Sequence, residues 1–160
     1  ASALETFHIS VTAVNDRPMV TRNNGMTIAE GATGTLTANH LWTTDDDTLD
    51  AGLTYTASNI QGGRLLVNGE GGIVTTRERV QFTQQELDEG VVTFEHDGSE
   101  TEVASFSFVV SDGSSRTSSE IFTITVTPVN DGPVVTVNTG MLMSEGASAT
   151  IQPSRLWTTD

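Results

Sequence analysis

Residues 120–131 read EIFTITVTPVND and residues 5–16 read ETFHISVTAVND, so one phrase occurs twice at an offset of 115 residues. In the later copy Phe122, Ile124 and Val126 alternate with Thr123, Thr125 and Thr127; in the earlier, Phe7, Ile9 and Val11 alternate with His8, Ser10 and Thr12. A period of two gathers the apolar side chains on one face of an extended chain, so each copy reads as the last strand of a half-buried sheet. The match runs on without a gap. Pro18, Gly25, Met26, Glu30-Gly31-Ala32 and Leu41-Trp42-Thr43-Thr44-Asp45 return as Pro133, Gly140, Met141, Glu145-Gly146-Ala147 and Leu156-Trp157-Thr158-Thr159-Asp160, with 23 identities in 45 aligned positions. Such density implies duplication. Residues 1–16 therefore end one repeat, 17–131 form a complete one, and 132–160 open the next.

Inside the complete repeat the same alternation recurs in Leu53 with Tyr55, Val92 with Phe94, and Phe106 with Phe108 and Val110. The runs are short, Gly and Asp-Gly punctuate them, and no long amphipathic helix intervenes. This pattern predicts an all-β, antiparallel Greek-key sandwich of the immunoglobulin type, with Trp42, Phe82 and Leu87 plugging its ends. One helical turn is expected after Thr83, because Thr83 and Glu86 have capping-box spacing ahead of Leu87. Asp112-Gly113 marks a chain reversal.

Seven basic residues against 21 acidic ones give a net charge of −14. That balance repels phosphate backbones and anionic membrane surfaces, which excludes nucleic acid as a partner. No apolar run approaches the roughly 20 residues needed to span a bilayer, so no membrane insertion is expected. The absence of cysteine rules out a disulfide framework or thiolate zinc site without identifying a compartment. Acidic excess combined with regular strand patterning points to a solvated surface or to carboxylates gathered around a hard cation. His96 beside Asp97, with serines nearby, lacks the oriented base and oxyanion pocket of a hydrolase and reads as a surface-loop histidine. No catalytic residues are expected.

The segments LWTTDDDTLDAGLTYT from Leu41, Gly62-Gly63-Arg64-Leu65, FTQQELDEGVVTFEHDGSE from Phe82, FSFVVSDG from Phe106 and the closing VNDGP, in this order, resemble the cadherin-like repeats of the chondroitin-sulfate-proteoglycan type. Such repeats run in tandem in animal cell-surface matrix proteins and in very large bacterial surface proteins. The resemblance implies an extracellular or cell-surface structural and adhesive module. Its partners would be neighbouring repeats and, further, a surface or matrix protein or a glycan. It also implies calcium at the junctions between repeats. At the first junction the candidates are Asn15 and Asp16, with Asp45, Asp47 and Asp112; Asp45 and Asp47 share a side if their segment is extended. At the second they are Glu30, Asp97 and Glu100, with Asn130 and Asp131. Two other readings stay open. The Asn-Asp pairs can be turn formers ahead of Pro18 and Pro133, and the acidic run 45–47 can be a solvated loop. Ala104 departs from the family, which usually carries an Asp there. The pattern is not an EF-hand, because Leu49 and Asp50 stand where an oxygen ligand and the turn Gly are expected and Thr56 replaces the final Glu. A module recognising glycan or protein through its loops, without structural calcium, is the alternative function.

Overall fold

The computed structural model of the chain describes residues 4–69, 72–76 and 79–159. Asp160, the last residue of the repeated LWTTD segment, lies outside them. The chain divides into two compact units between Pro128 and Val129.

The first unit is the expected all-β sandwich. Its strands are β1 (Met19–Asn23), β2 (Met26–Ala29), β3 (Thr33–Thr35), β4 (Leu41–Thr44), β5 (Thr54–Gln61), β6 (Gly63–Gly69), β7 (Gly72–Thr76), β8 (Arg79–Thr83), β9 (Val92–His96), β10 (Val103–Ser111) and β11 (Glu120–Thr127). One sheet has the order β2-β11-β10-β5-β8 and the other β3-β9-β6-β7, while β1 and β4 form a separate ribbon. The chain crosses between the sheets from β5 to β6, from β7 to β8 and from β9 to β10, so both inner faces close on one core. Phe106 lies opposite Phe122 in register, and their rings stack at 5.0 Å. Tyr55 lies opposite Phe82 and stacks at the same separation. From the other sheet Leu65, Val92 and Phe94 meet them, all fully buried. The predicted helical turn is α1 (Gln84–Asp88), capped as the spacing requires: the Thr83 N–H donates to Glu86 Oε2 at 2.7 Å, and the Glu86 N–H donates to Thr83 Oγ1 at 3.2 Å.

Three sequence expectations are corrected. The sheets are not wholly antiparallel, because β2 pairs with β11 in parallel, Ile28 against Val126. The first and last strands of the five-stranded sheet, running side by side in one direction, let the chain enter at one end of the sandwich and leave at the other. Trp42 does not plug the core: alternation along β4 turns Leu41 and Thr43 inward and leaves Trp42 half-buried. Residues 5–12 are not a strand, and Phe7, Ile9 and Val11 are exposed. Their copies in β11 are held by ladders to β10 and β2 on either side, whereas among the described residues no strand flanks 5–12. A strand without a ladder leaves its amides to water.

The second unit holds β12 (Val134–Asn138) and β13 (Leu156–Thr159). Val134 pairs with Thr159 and Asn138 with Leu156, as Met19 pairs with Thr44 and Asn23 with Leu41, each partner displaced by the 115 residues of the sequence repeat. The bulge recurs too, between Val20 and Arg22 and between Val135 and Val137.

A polar group inside the first unit was not anticipated. The Tyr55 hydroxyl donates to Gln84 Oε1 at 2.6 Å and lies 2.7 Å from the Thr43 hydroxyl, and the Thr43 N–H donates to Gln84 Oε1 at 3.0 Å. All three residues are fully buried. They tie β4, β5 and α1 together at the end of the core. Burial, opposed in part by the Thr43 contact, pushes the Tyr55 phenol above the ordinary tyrosine range. Its folded-state value is raised, so the stability it supplies is present below the unfolded value near pH ~10 and is lost as pH climbs past it. Because Tyr55 is the one tyrosine in the sequence, its ionisation can be followed directly by ultraviolet absorbance. Tyrosinate is expected to appear only as the chain unfolds in alkali. Tyr55→Phe is expected to cost about 1.5 kcal/mol at neutral pH and to remove the alkaline loss that wild type shows; tyrosinate formation in the folded protein at its ordinary value would contradict this.

Candidate functional site

The strand directions set two poles on the first unit. β11 spans about 26 Å at ~3.3 Å per residue. Phe108 of β10 lies opposite Glu120, so the turn after Ser111 sits at the start of β11, while Thr127 pairs with Ala29 at its far end.

At the entry pole the chain before β1 meets the loops after β4 and β10. The Asn15 side-chain amide donates to Asp112 Oδ2 at 3.0 Å, the Asp16 N–H donates to Asp47 Oδ2 at 3.2 Å, and Ser115 Oγ lies 3.4 Å from the Asp16 carbonyl oxygen. Asn15, Asp16, Asp47 and Asp112 are thus brought together, and Asp45 joins them through Asp47. The segment after Thr44 is not extended, so Asp45 and Asp47 do not meet by strand alternation. A local turn does it: Asp45 Oδ1 accepts the N–H groups of Asp47 at 3.2 Å and Thr48 at 2.8 Å. Asp112 makes a similar turn, its Oδ1 accepting the N–H groups of Ser114 and Ser115 at 2.6 Å each and its Oδ2 the Ser115 hydroxyl at 2.7 Å. Turn formation at Asp45 and Asp112 thus accompanies their convergence.

The electrostatics follow from these contacts. Asp112 is held well below the usual carboxylate range by the Ser115 N–H and then by the Asn15 amide, so it stays ionised. Burial works to raise Asp45, but hydrogen bonds from Asp47 and Thr48 outweigh it and leave Asp45 below its ordinary value. Asp47 is raised, first by its carboxyl contact with Asp45 and further by the charges of Asp45 and Asp16, against the lowering donated by the Asp16 N–H. Carboxylates this close resist joint ionisation. With both ionised, Asp45 Oδ2 is cut off from water and has no donor among the described residues.

At the exit pole Glu30 follows β2, and its N–H donates to the Thr127 carbonyl at 2.9 Å. Glu100 lies in the loop between β9 and β10, and carboxylate oxygens of Glu30 and Glu100 approach within 4.8 Å. Asp97 is directed to its own loop, where Oδ1 accepts the Ser99 N–H at 3.2 Å. Asn130 and Asp131 belong to the second unit; both are exposed, and the Asn130 amide donates to the Asp131 carbonyl at 2.7 Å. Ala104 is buried in β10 opposite Ile124 and faces the core, so no carboxylate arises there. His96 is corrected as well. It is the last residue of β9, 3% exposed, not a surface-loop residue. Its Nδ1 accepts the Gly31 N–H at 3.1 Å, and its Nε2 lies 3.2 Å from Thr101 Oγ1. Two loops folding over the strand end enclose it. Sequence reading missed this because nothing local reveals that the turn at Gly31 covers residue 96.

A two-sheet sandwich with acidic groups at both ends, entered and left at opposite poles and repeated along the sequence, defines a tandem structural repeat. Comparison with known proteins agrees. Residues 18–126 match the model of the Cadherin-like family, and the chain belongs to that family. Similar proteins include human "Chondroitin sulfate proteoglycan 4", 37% identical over 120 residues, covering 74% of this chain and 5% of that protein. Human "FRAS1-related extracellular matrix protein 2" is 34% identical over 109 residues, covering 68% of this chain and 3% of that protein. "Extracellular matrix protein 3" of Lytechinus variegatus is 29% identical over 152 residues, covering 87% of this chain and 5% of that protein. The chain therefore spans a small part of each relative. These relatives are matrix proteins and a proteoglycan by name, and no helix among the described residues is long and apolar enough to cross a membrane.

Proposed function

We propose that the chain is an extracellular structural and adhesive repeat, a spacer in a larger surface or matrix protein, whose inter-repeat junctions are stiffened by calcium. The observation that carries this reading is the entry pole. Residues from the incoming segment and from two loops of the sandwich bring carboxylate oxygens together there, and Asp45 Oδ2 is shielded from water without a donor among the described residues. A buried charged oxygen with no donor is costly, and a hard cation that takes six to eight oxygens removes that cost. Asp16, Asp45, Asp47, Asp112 and the Asn15 carbonyl would hold the ion. At the exit pole of the first unit Glu30, Asp97 and Glu100 would do so. Calcium would supply neutralisation of carboxylates that otherwise repel at each pole of the first unit. Names of the relatives support the matrix setting.

Calorimetric titration of calcium into chelator-stripped protein, followed by melting with and without the ion, tests the reading. Saturable binding is expected, with a stabilisation of about 2.7 kcal/mol when free calcium is ~100 times Kd. Absence of both would remove calcium from the mechanism. The alternative, a glycan-recognising module, draws on one recess of about 280 Å³ on the outer sheet face, where Arg79 and Arg116 stand among Thr54, Thr56 and Gln81. Saturable oligosaccharide binding by a calcium-indifferent protein would favour it.

A further inference from the structure

We infer that His96 is a positioning residue that holds the two exit-pole carboxylates at their separation, an inference that rests on the calcium reading of that pole. The imidazole lies beneath two loops, and its polar atoms serve both. Nδ1 accepts the N–H of Gly31, which follows Glu30, at 3.1 Å, and that of Gly98 at 3.2 Å. Two backbone donors on one nitrogen mean that Nδ1 carries no hydrogen, so Nε2–H donates to Thr101 Oγ1, which follows Glu100, at 3.2 Å. The backbone takes part as well, since the His96 N–H donates to the Ala32 carbonyl at 3.0 Å. Each carboxylate is thus followed in sequence by a residue that this one ring grips.

The grip opposes a repulsion. Glu30 and Glu100 oxygens within 4.8 Å repel one another, and each residue lies in a loop outside the strands. Gly31 and Gly98 have φ of +65° and +75°, backbone that side-chain-bearing residues rarely adopt, and these conformations aim both N–H groups at the ring. The turn at Gly31 is itself local, because Gly146 in the second copy has φ of +76° and the Ala147 N–H donates to the Ser144 carbonyl at 3.1 Å, as the Ala32 N–H does to the Ala29 carbonyl. What His96 adds is the fixed relation between that turn and the loop bearing Glu100.

The test uses the full chain with His96→Phe, His96→Asn and Glu30→Gln/Glu100→Gln, read by amide exchange and by calcium titration. The asparagine side chain in His96→Asn places its Oδ1 two bonds from Cβ, where Nδ1 now stands, so the conservative variant keeps the acceptor. In His96→Phe the Gly31 and Gly98 amides are expected to exchange about tenfold faster, while the amides of Tyr55 and Phe108 in the core strands keep their protection. The affinity lost in the Glu30→Gln/Glu100→Gln protein, which identifies the exit site, is expected to fall about tenfold in His96→Phe, with entry-pole binding unchanged and His96→Asn within about threefold of wild type. Unchanged exchange at Gly31 and Gly98 would overturn the inference whatever calcium does. Faster exchange throughout the core would also overturn it, reducing His96 to general packing. If Glu30→Gln/Glu100→Gln binds calcium as wild type does, the calcium reading of this pole fails, and the positioning role fails with it even where the amides respond.

Discussion

Phe122→Ala is expected to destabilise the first unit by about 4 kcal/mol, whereas Phe7→Ala, the same residue one repeat earlier, is expected to change stability by less than about 0.5 kcal/mol. Phe122 is fully buried, stacks on Phe106 at 5.0 Å and lies on β11 between β10 and β2. Truncation there removes the transfer energy of a ring and leaves a cavity that two ladders prevent from collapsing. Phe7 is 87% exposed. Urea denaturation of the two variants decides the matter. A loss below about 1.5 kcal/mol for Phe122→Ala would mean that the core relaxes around the gap. An effect of comparable size at Phe7 would mean that residues 5–12 are packed in solution.

Asp45→Asn is expected to weaken entry-pole calcium binding about 30-fold, equivalent to about 2 kcal/mol. The substitution preserves shape and the Oδ1 acceptor for the Asp47 and Thr48 N–H groups, so the turn should survive. It removes the negative charge and places an amide where the donor-free Oδ2 stands. At free calcium ~100 times the wild-type Kd, the stabilisation from that site should drop from about 2.7 to about 0.9 kcal/mol. Without calcium the direction reverses, since Asp47 loses its carboxyl contact with Asp45 and, with it, a like charge, so that its carboxyl should return toward the ordinary value. Asp46→Asn, on the same acidic run but exposed, should alter Kd by less than about twofold. Equal effects of Asp45→Asn and Asp46→Asn would show that general acidity, not a built site, attracts the ion.

The two units separate what is encoded locally from what is not. Leu41–Thr44 and Leu156–Thr159 pair with their preceding strands in the same register, bulge included, so that ribbon is written into its own residues. The Glu-Gly-Ala turn likewise forms in both copies. The capping box at Thr83 and the period-two faces of β9, β10 and β11 are equally plain, because each depends on residues a few positions apart. Met26–Ala29 and its copy Met141–Ser144 behave differently. The first is a strand beside β11, and the second, with no such neighbour among the described residues, is not. Phe7–Val11 against Phe122–Val126 teaches the same: alternation states which face would be buried, and a neighbouring ladder determines whether a strand exists.

For the candidate site, the repeat, the sandwich class and the oxygen-bearing residues were legible from the chain alone, since all of these are properties of residue type and spacing. Which of those oxygens meet is a property of the closed fold. Asn15 reaches Asp112, 97 residues away, because β10 returns beside the entry of the chain, and Glu30 approaches Glu100 because β2 runs parallel to β11. The buried Thr43, Tyr55 and Gln84 group and the ring of His96 were beyond sequence reading for the same reason: the hydrogen bonds of each are made to partners that only the assembled sandwich brings within reach.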